Sequence, residues 1–217
     1  MSSQNVSFDT IPGGIRKPGQ YMEYNLKLAK RSLPGVARKI LLIGQKTSAG
    51  SKAAEVPVPV YSDLDAAAYF GAGSPAHLMS VAALQVFPYA DLTIIAPADA
   101  EGSSAATGKV TLAGTATSSG TVTLVIAGKT VEMAVASGTT AADAAAALND
   151  ILGDKPNLPV SAAVVGAEVD FTAKVKGTLG NAITLIADST VPGITATVTA
   201  MAGGLVDASI EASLAAV

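Results

Sequence analysis

At 217 residues, with 49% apolar side chains but only 4% aromatics and no Trp, the chain can bury a sizeable core made of many small Ala, Val, Leu, Ile and Thr contacts. Cys is absent, which excludes a disulfide framework and a thiolate metal site. Mean hydropathy is +0.44, yet no uninterrupted apolar run approaches the ~20 residues of a membrane-spanning helix, and the N-terminus lacks the charged flank and apolar stretch of a secretory signal.

The net charge of −3 hides a division, because residues 1–52 sum to +7 and residues 53–217 to −10. A basic end on an acidic body invites two readings: nucleic-acid binding, or head-to-tail association with one copy's arm on the next copy's body. Residues 1–36 are punctuated by Pro12, Gly13, Gly14, Pro18, Gly19, Pro34 and Gly35, too often for a helix. Within this extended arm, Met22, Tyr24, Leu26 and Leu28 alternate with Glu23, Asn25 and Lys27, which predicts a half-buried strand over 21–29. A strand cannot satisfy its own backbone hydrogen bonds, and no second strand is close enough in sequence to make a hairpin with this one. It therefore needs a sheet elsewhere, in its own chain or in a neighbour.

Residues 37–100 read as a compact α/β piece. Lys39–Gly44 is a short apolar run ending in Gly, as expected of a strand buried on both faces. Ser62 to Phe70 predicts a short helix with Ser62 as N-cap and Gly71 beyond its end, and Ser74-Pro75 opens a second helix that Pro88 stops near Phe87. Leu92–Ala96 is a second buried strand, so the order suggests a crossover unit on a parallel sheet. From Glu101 the texture turns to Thr, Gly, Val and Ala. Strands are expected at 109–115, 121–126, 131–135, 160–165, 168–174, 182–187 and 194–200. An Ala-rich helix is expected over 139–152, with Thr140 and Asp143 in capping-box spacing and Gly153 at its end. The fold class is α+β: an arm over 1–36, a partial α/β core over 37–100 and a mostly antiparallel β-rich module with one helix over 101–204. Residues 205–217 read as the opening of a helix that stops with no C-terminal signal, the pattern of a fragment of something longer.

Catalytic and ligand-binding signals are weak. Gly44-Gln-Lys-Thr-Ser-Ala-Gly50-Ser-Lys52 fails the phosphate-loop spacing and runs into prolines, so it reads as a solvated loop. Phe70-Gly71-Ala72-Gly73 lacks the third Gly of a dinucleotide fingerprint and reads as a turn. His77, the single His, has no second His or Cys for a metal site and no convincing catalytic partner, which leaves a surface or packing role. Asp63 and Asp65 point apart on a helix, and no acid pair has the context for general acid/base work. No catalytic residue, cofactor or metal is expected, and the chain does not read as an enzyme. For nucleic acid, Tyr21 and Tyr24 are candidate stacking groups. Tyr24, however, lies on the apolar face of the arm strand, and the cations form no continuous stripe.

Val6-Ser-Phe-Asp-Thr-Ile-Pro-Gly-Gly-Ile-Arg-Lys-Pro-Gly-Gln-Tyr-Met-Glu-Tyr24, followed by Ile40-Leu-Leu-Ile-Gly-Gln45, resembles the start of tail sheath proteins of Mu-like contractile-tailed bacteriophages. The stretches at 114–124, 126–131 and 176–181 are similar to the domain inserted in those sheaths. The resemblance covers nearly the whole chain, although such proteins are considerably longer. It implies that 37–100 is the N-terminal part of the conserved sheath domain, 101–204 an inserted outward domain, and 205–217 the start of a return. It also implies a structural subunit of the virion's contractile tail, assembled in the host cytoplasm. Such a subunit polymerises around the tail tube and contracts to drive it through the host envelope. The partners would be neighbouring sheath subunits, tail tube and baseplate proteins, with no nucleic acid and no membrane insertion. Inter-subunit contacts are then expected at Arg16, Lys17, Tyr21, Met22, Tyr24, Leu26, Leu28, Lys30 and Arg31, with the arm strand added to a neighbour's sheet. The competing reading is an outward β-domain that acts as a binding module, an adhesin or decoration of a virion or injection system.

Overall fold

The computed structural model describes residues 17–20, 22 and 39–216. The chain separates into two compact units, Met1–Ala37 and Arg38–Val217. In the first, the chain bends at Lys17 and Gly19, and residues 17–20 and 22 are exposed.

The second unit combines helices with sheets, as the α+β expectation holds. It opens with β1 (Lys39–Ile43), β2 (Val58–Val60), α1 (Asp63–Phe70), α2 (Pro75–Val86) and β3 (Asp91–Ile95). These form a three-stranded sheet in the order β1-β3-β2, with β1 parallel and β2 antiparallel to β3. The register aligns Ile40, Leu92 and Val60 in one row and Leu42, Ile94 and Val58 in the next. Those side chains pack with Ala66, Phe70 and Ala76 from the two helices into one core. The helix starts follow from local chemistry. The Ser62 hydroxyl accepts from the Asp65 amide at 3.1 Å and the Ser74 hydroxyl from the His77 amide at 3.1 Å, each satisfying an amide with no intrahelical partner.

Two features of this sheet depart from the sequence reading. β1 is not buried on both faces: among the described residues it lies at an edge, and Leu41 is 40% exposed on the face away from the helices. β2 is not among the strands read from the sequence, and prolines such as Pro57 and Pro59 disfavour an interior strand. It forms at the opposite edge, where Pro59 removes no ladder bond and Val58 and Val60 are buried against β3. The 44–52 stretch is a loop, but not a wholly solvated one. Thr47 is buried and its amide donates to the Phe70 carbonyl at 2.9 Å, while the Ser51 hydroxyl donates to the Ala68 carbonyl at 2.8 Å.

The β-rich part comprises β4 (Ala105–Gly114), β5 (Gly120–Ile126), β6 (Lys129–Val135), α3 (Ala141–Gly153), β7 (Val160–Val165), β8 (Glu168–Lys176), a 3-10 turn (Thr178–Ala182), β9 (Leu185–Ser189) and β10 (Ile194–Ala202). Two antiparallel sheets result, in the orders β10-β4-β8-β7 and β6-β5-β9. Period-two burial along β5, β6 and β8 turns Val122, Leu124, Ile126, Val131, Met133, Val135, Val169 and Phe171 into a shared core. The helix α3 closes that core with Ala141, Ala144, Ala145, Leu148 and Leu152, a stripe at i, i+3, i+4, i+7 and i+11. Each fully buried Leu or Phe there contributes ~1.5–3 kcal/mol.

Several details differ from the sequence reading. β4 begins at Ala105 rather than Lys109. The strand expected at 182–187 is a 3-10 turn followed by β9, which is shifted toward the C-terminus. In β10 a register break between Thr199 and Ala202 reverses the alternation, so Met201 rather than Ala200 is buried. Gly153 is the last residue of α3, but the cap is Asp154, with an ordinary φ of −75°. Beyond Gly204 a short α4 (Glu211–Ala215) starts later than Asp207 and has no side-chain cap.

Candidate assembly interface

Of the nine residues expected to make inter-subunit contacts, Lys17 and Met22 are described. Both are exposed, Met22 at 78%. Arg16, Tyr21, Tyr24, Leu26, Leu28, Lys30 and Arg31 lie outside the described residues. Of the arm strand expected over 21–29, Met22 alone is among the described residues.

The surfaces that such an arm could meet are well defined. At the β1 edge the Gly44 amide donates to the Ile95 carbonyl at 3.1 Å. Backbone groups of alternate residues along a strand point to opposite sides, so Lys39, Leu41 and Ile43 direct theirs away from β3. At the far end of β1 the second face of the sheet continues into a depression lined by Ile43, Gln45, Pro97, Leu179, Asp207 and Ile210. There the Thr178 amide and hydroxyl donate to the Asp207 carboxylate at 2.5 and 2.6 Å, and these bonds hold its carboxyl below the usual range.

Other polar groups tie the three-stranded sheet and its helices to the β-rich part. The Lys174 ammonium donates to the Ala72 carbonyl at 3.0 Å and the Pro156 carbonyl at 2.6 Å, and burial pushes its pKa down. The Gln45 side-chain amide donates to the Lys176 carbonyl at 2.9 Å, and the Lys176 ammonium sits 3.3 Å from Asp99. An apolar cleft lined by Pro75, Leu78, Met79, Pro159, Val175 and Ile183 completes the junction. The two crossings into the β-rich part lie side by side. The Ser104 amide donates to the Leu205 carbonyl at 3.1 Å, and the Ser104 hydroxyl to the Gly203 carbonyl at 2.7 Å.

His77 is a packing residue, and it has the partner that sequence reasoning did not find. Its ring is 1% exposed; Nδ1 accepts from the Gly73 amide at 3.1 Å, which leaves the proton on Nε2, 2.5 Å from the Asp63 carboxylate. Both nitrogens are thus engaged, and the ring has no lone pair to activate a hydroxyl. Nothing local in the sequence could signal a pair separated by a helix and a turn. Among the described residues no group of three or more His, Cys, Asp or Glu side chains converges as a metal site. No described helix is long and apolar enough to cross a membrane.

No protein-family model matches the chain. It is 32% identical over 215 residues to the Mu-like prophage FluMu tail sheath protein of Haemophilus influenzae (strain ATCC 51907 / DSM 11121 / KW20 / Rd), an alignment that covers 97% of this chain and 44% of that relative. The chain therefore spans less than half the length of the curated relative it matches. The resemblance to tail sheath proteins is borne out by this relative, whose alignment spans 97% of the chain.

Proposed function

We propose, from the premise that the chain is a relative of the Mu-like tail sheath proteins, that it is a structural part of a contractile bacteriophage tail, carried in the virion and without enzymatic activity. The observation that carries this reading is the 32% identity sustained over 97% of the chain. In the proposed assembly, residues 37–100 belong to the conserved sheath domain, 101–204 are an outward insert, and 205–217 begin the return. The arm strand pairs with a neighbouring subunit's sheet, an intermolecular β-augmentation. Because donor and acceptor differ, the contact is heterologous and propagates into a helical polymer around the tail tube. Contraction repacks the contacts between bodies while the strand pairing holds. Assembly in the host cytoplasm and contact with tube and baseplate proteins follow from the same reading.

The side-by-side crossings at Ser104 and Leu205 support an insertion, since a segment whose entry and exit touch can be added to a core without splitting it. The split charge supports head-to-tail association, which added salt should weaken because exposed charges are screened within ~8–10 Å at physiological ionic strength.

Antibodies raised against residues 105–204 should decorate contractile tails along their length in electron micrographs of phage particles that carry this protein. Label confined to heads, fibres or free protein would refute the sheath reading. Leu26→Asp, introduced into a sheath-length version, should block polymerisation while leaving the monomer folded.

A further inference from the structure

Lys174 is a half-buried cation without a counter-ion. Its ammonium spends two of its three N–H groups on the Ala72 and Pro156 carbonyls, and no carboxylate among the described residues pairs with it. Burial pushes its pKa down, with no neighbouring charge to offset the loss of water. Buried charges are normally paired, because their desolvation is otherwise uncompensated.

The residue lines a cleft of about 240 Å³ between the end of α3, the 154–159 loop and strands β7 and β8. Leu152, Leu158 and Phe171, all buried, form its apolar wall. Lys155 and Asn149 add polar groups, and neither side chain bonds to a described residue. Other polar groups here are spent. The Ser161 hydroxyl donates to the Thr172 carbonyl at 3.3 Å, and the Asp150 and Leu152 carbonyls that end α3 accept from the Asp154 and Lys155 amides. The Asp150 and Asp154 side chains do not line the cleft. Unspent donors, two of them cationic, therefore meet an apolar wall.

We propose that this cleft binds a small organic carboxylate with a compact apolar body. One oxygen takes the third N–H of Lys174, the other is held by Lys155 or Asn149, and the body lies against Leu152, Leu158 and Phe171. Size and charge select this class. An apolar cavity of ~150 Å³ takes benzene, so the cleft admits a six-membered ring bearing one carboxylate. A phosphate would bring more charge and more oxygens than these donors can meet. Because the ligand uses the third N–H, the bonds to Ala72 and Pro156 stay in place, and binding stabilises the fold. This site stands apart from the sheath reading, which rests on the relative and not on the cleft.

Sodium benzoate is the probe, titrated into the full chain by calorimetry at low ionic strength and followed by thermal melting. Saturable binding is expected, with the melting midpoint raised by roughly 3–6 °C at about ten times the dissociation constant. Benzyl alcohol keeps the ring without the charge, and inorganic phosphate keeps the charge without the ring. Each should bind roughly tenfold or more weakly, the scale of one charge-assisted hydrogen bond. Lys174→Met should weaken benzoate by a similar factor. Because that change also cuts the ties to Ala72 and Pro156, Ala162→Leu is the second variant. It fills the cleft and leaves every polar side chain in place, so it should abolish binding while keeping the parent's circular dichroism spectrum. No saturable binding in the parent, equal affinity for benzyl alcohol or phosphate, or undiminished binding in Ala162→Leu overturns the proposal. None of these results would alter antibody labelling of tails, on which the sheath reading stands or falls.

Discussion

Gly73→Ala tests the junction between the three-stranded sheet with its helices and the β-rich part. Gly73 has φ +79° in the turn between α1 and α2, and its amide donates to His77 Nδ1. A Cβ at this position would overlap the Leu158 carbonyl oxygen and lie 2.9 Å from the Lys174 ammonium. The left-handed conformation alone costs an Ala about 1 kcal/mol. Leu158 contributes backbone, which cannot rotate aside, so the turn must lift from the 155–159 loop. Lifting loses the Lys174 bond to Ala72, next in sequence to Gly73, and loosens the Gly73–His77 bond. A charge-assisted and a neutral hydrogen bond together add about 2–3 kcal/mol. Gly138 is the control, with φ +87° and nothing within 4 Å of an added Cβ, so Gly138→Ala carries only the conformational cost. For a chain of this length 1 kcal/mol moves Tm by about 2–4 °C. Gly73→Ala should therefore melt roughly 6–16 °C below the parent by far-UV circular dichroism, and Gly138→Ala roughly 2–4 °C below. If the two variants melt together, Gly73 is not held against Leu158 and the junction is looser than the hydrogen bonds imply.

Leu148→Ala removes the fully buried centre of the α3 stripe, and urea unfolding should show a loss of about 2–5 kcal/mol with an unchanged denaturant slope. His77→Ala leaves a cavity and an unpaired Gly73 amide, whereas Asp63→Ala removes an acceptor that water can replace at a carboxylate 54% exposed; the first should destabilise the chain by about 2–3 kcal/mol and the second by about 1 kcal/mol or less, and the reverse ranking would discredit the pairing. Asp207 is held below its ordinary pKa by Thr178, so its contribution is present above the unfolded value near ~4 and is lost as pH falls through the lower folded value. Asp207→Asn should flatten that acid limb in a pH series of urea midpoints, and an unchanged limb would count against the bonds to Thr178. Residues 103–206, which enclose a core separate from that of the three-stranded sheet, should give a cooperative melt when expressed alone.

Helix starts were legible because the cap chemistry is local. Ser62, Ser74-Pro75 and Thr140 each place a hydroxyl within reach of an amide three residues on. The parallel pairing of β1 with β3 was legible from two short apolar runs separated by helices. What failed was set by position in the sheet. A Val-Pro-Val run becomes a strand because an edge tolerates Pro59, and Leu41 is exposed because, among the described residues, nothing covers the face of β1 turned away from the helices. The β10 bulge answers to pairing with β4 and not to its own alternation, which runs unbroken through Ala200. The junction was invisible for another reason. Lys174 and Gln45 donate to backbone carbonyls at Ala72, Pro156 and Lys176, and a carbonyl carries no residue identity in the sequence. For the arm, the alternating pattern and the charge division are sequence properties, and seven of its nine named residues lie outside the described ones.

Those carbonyl acceptors bear on how a sheath subunit of the proposed kind would divide its work. The β-rich part keeps its own core and enters and leaves through crossings strapped at Ser104 and Leu205, so its surface can change without repacking the three-stranded sheet. Its remaining ties are a few donors reaching main-chain oxygens and an incompletely filled apolar cleft. Such a junction tolerates substitution of the acceptor residues, because any residue there offers the same oxygen. It does not tolerate bulk at Gly73, where backbone meets backbone.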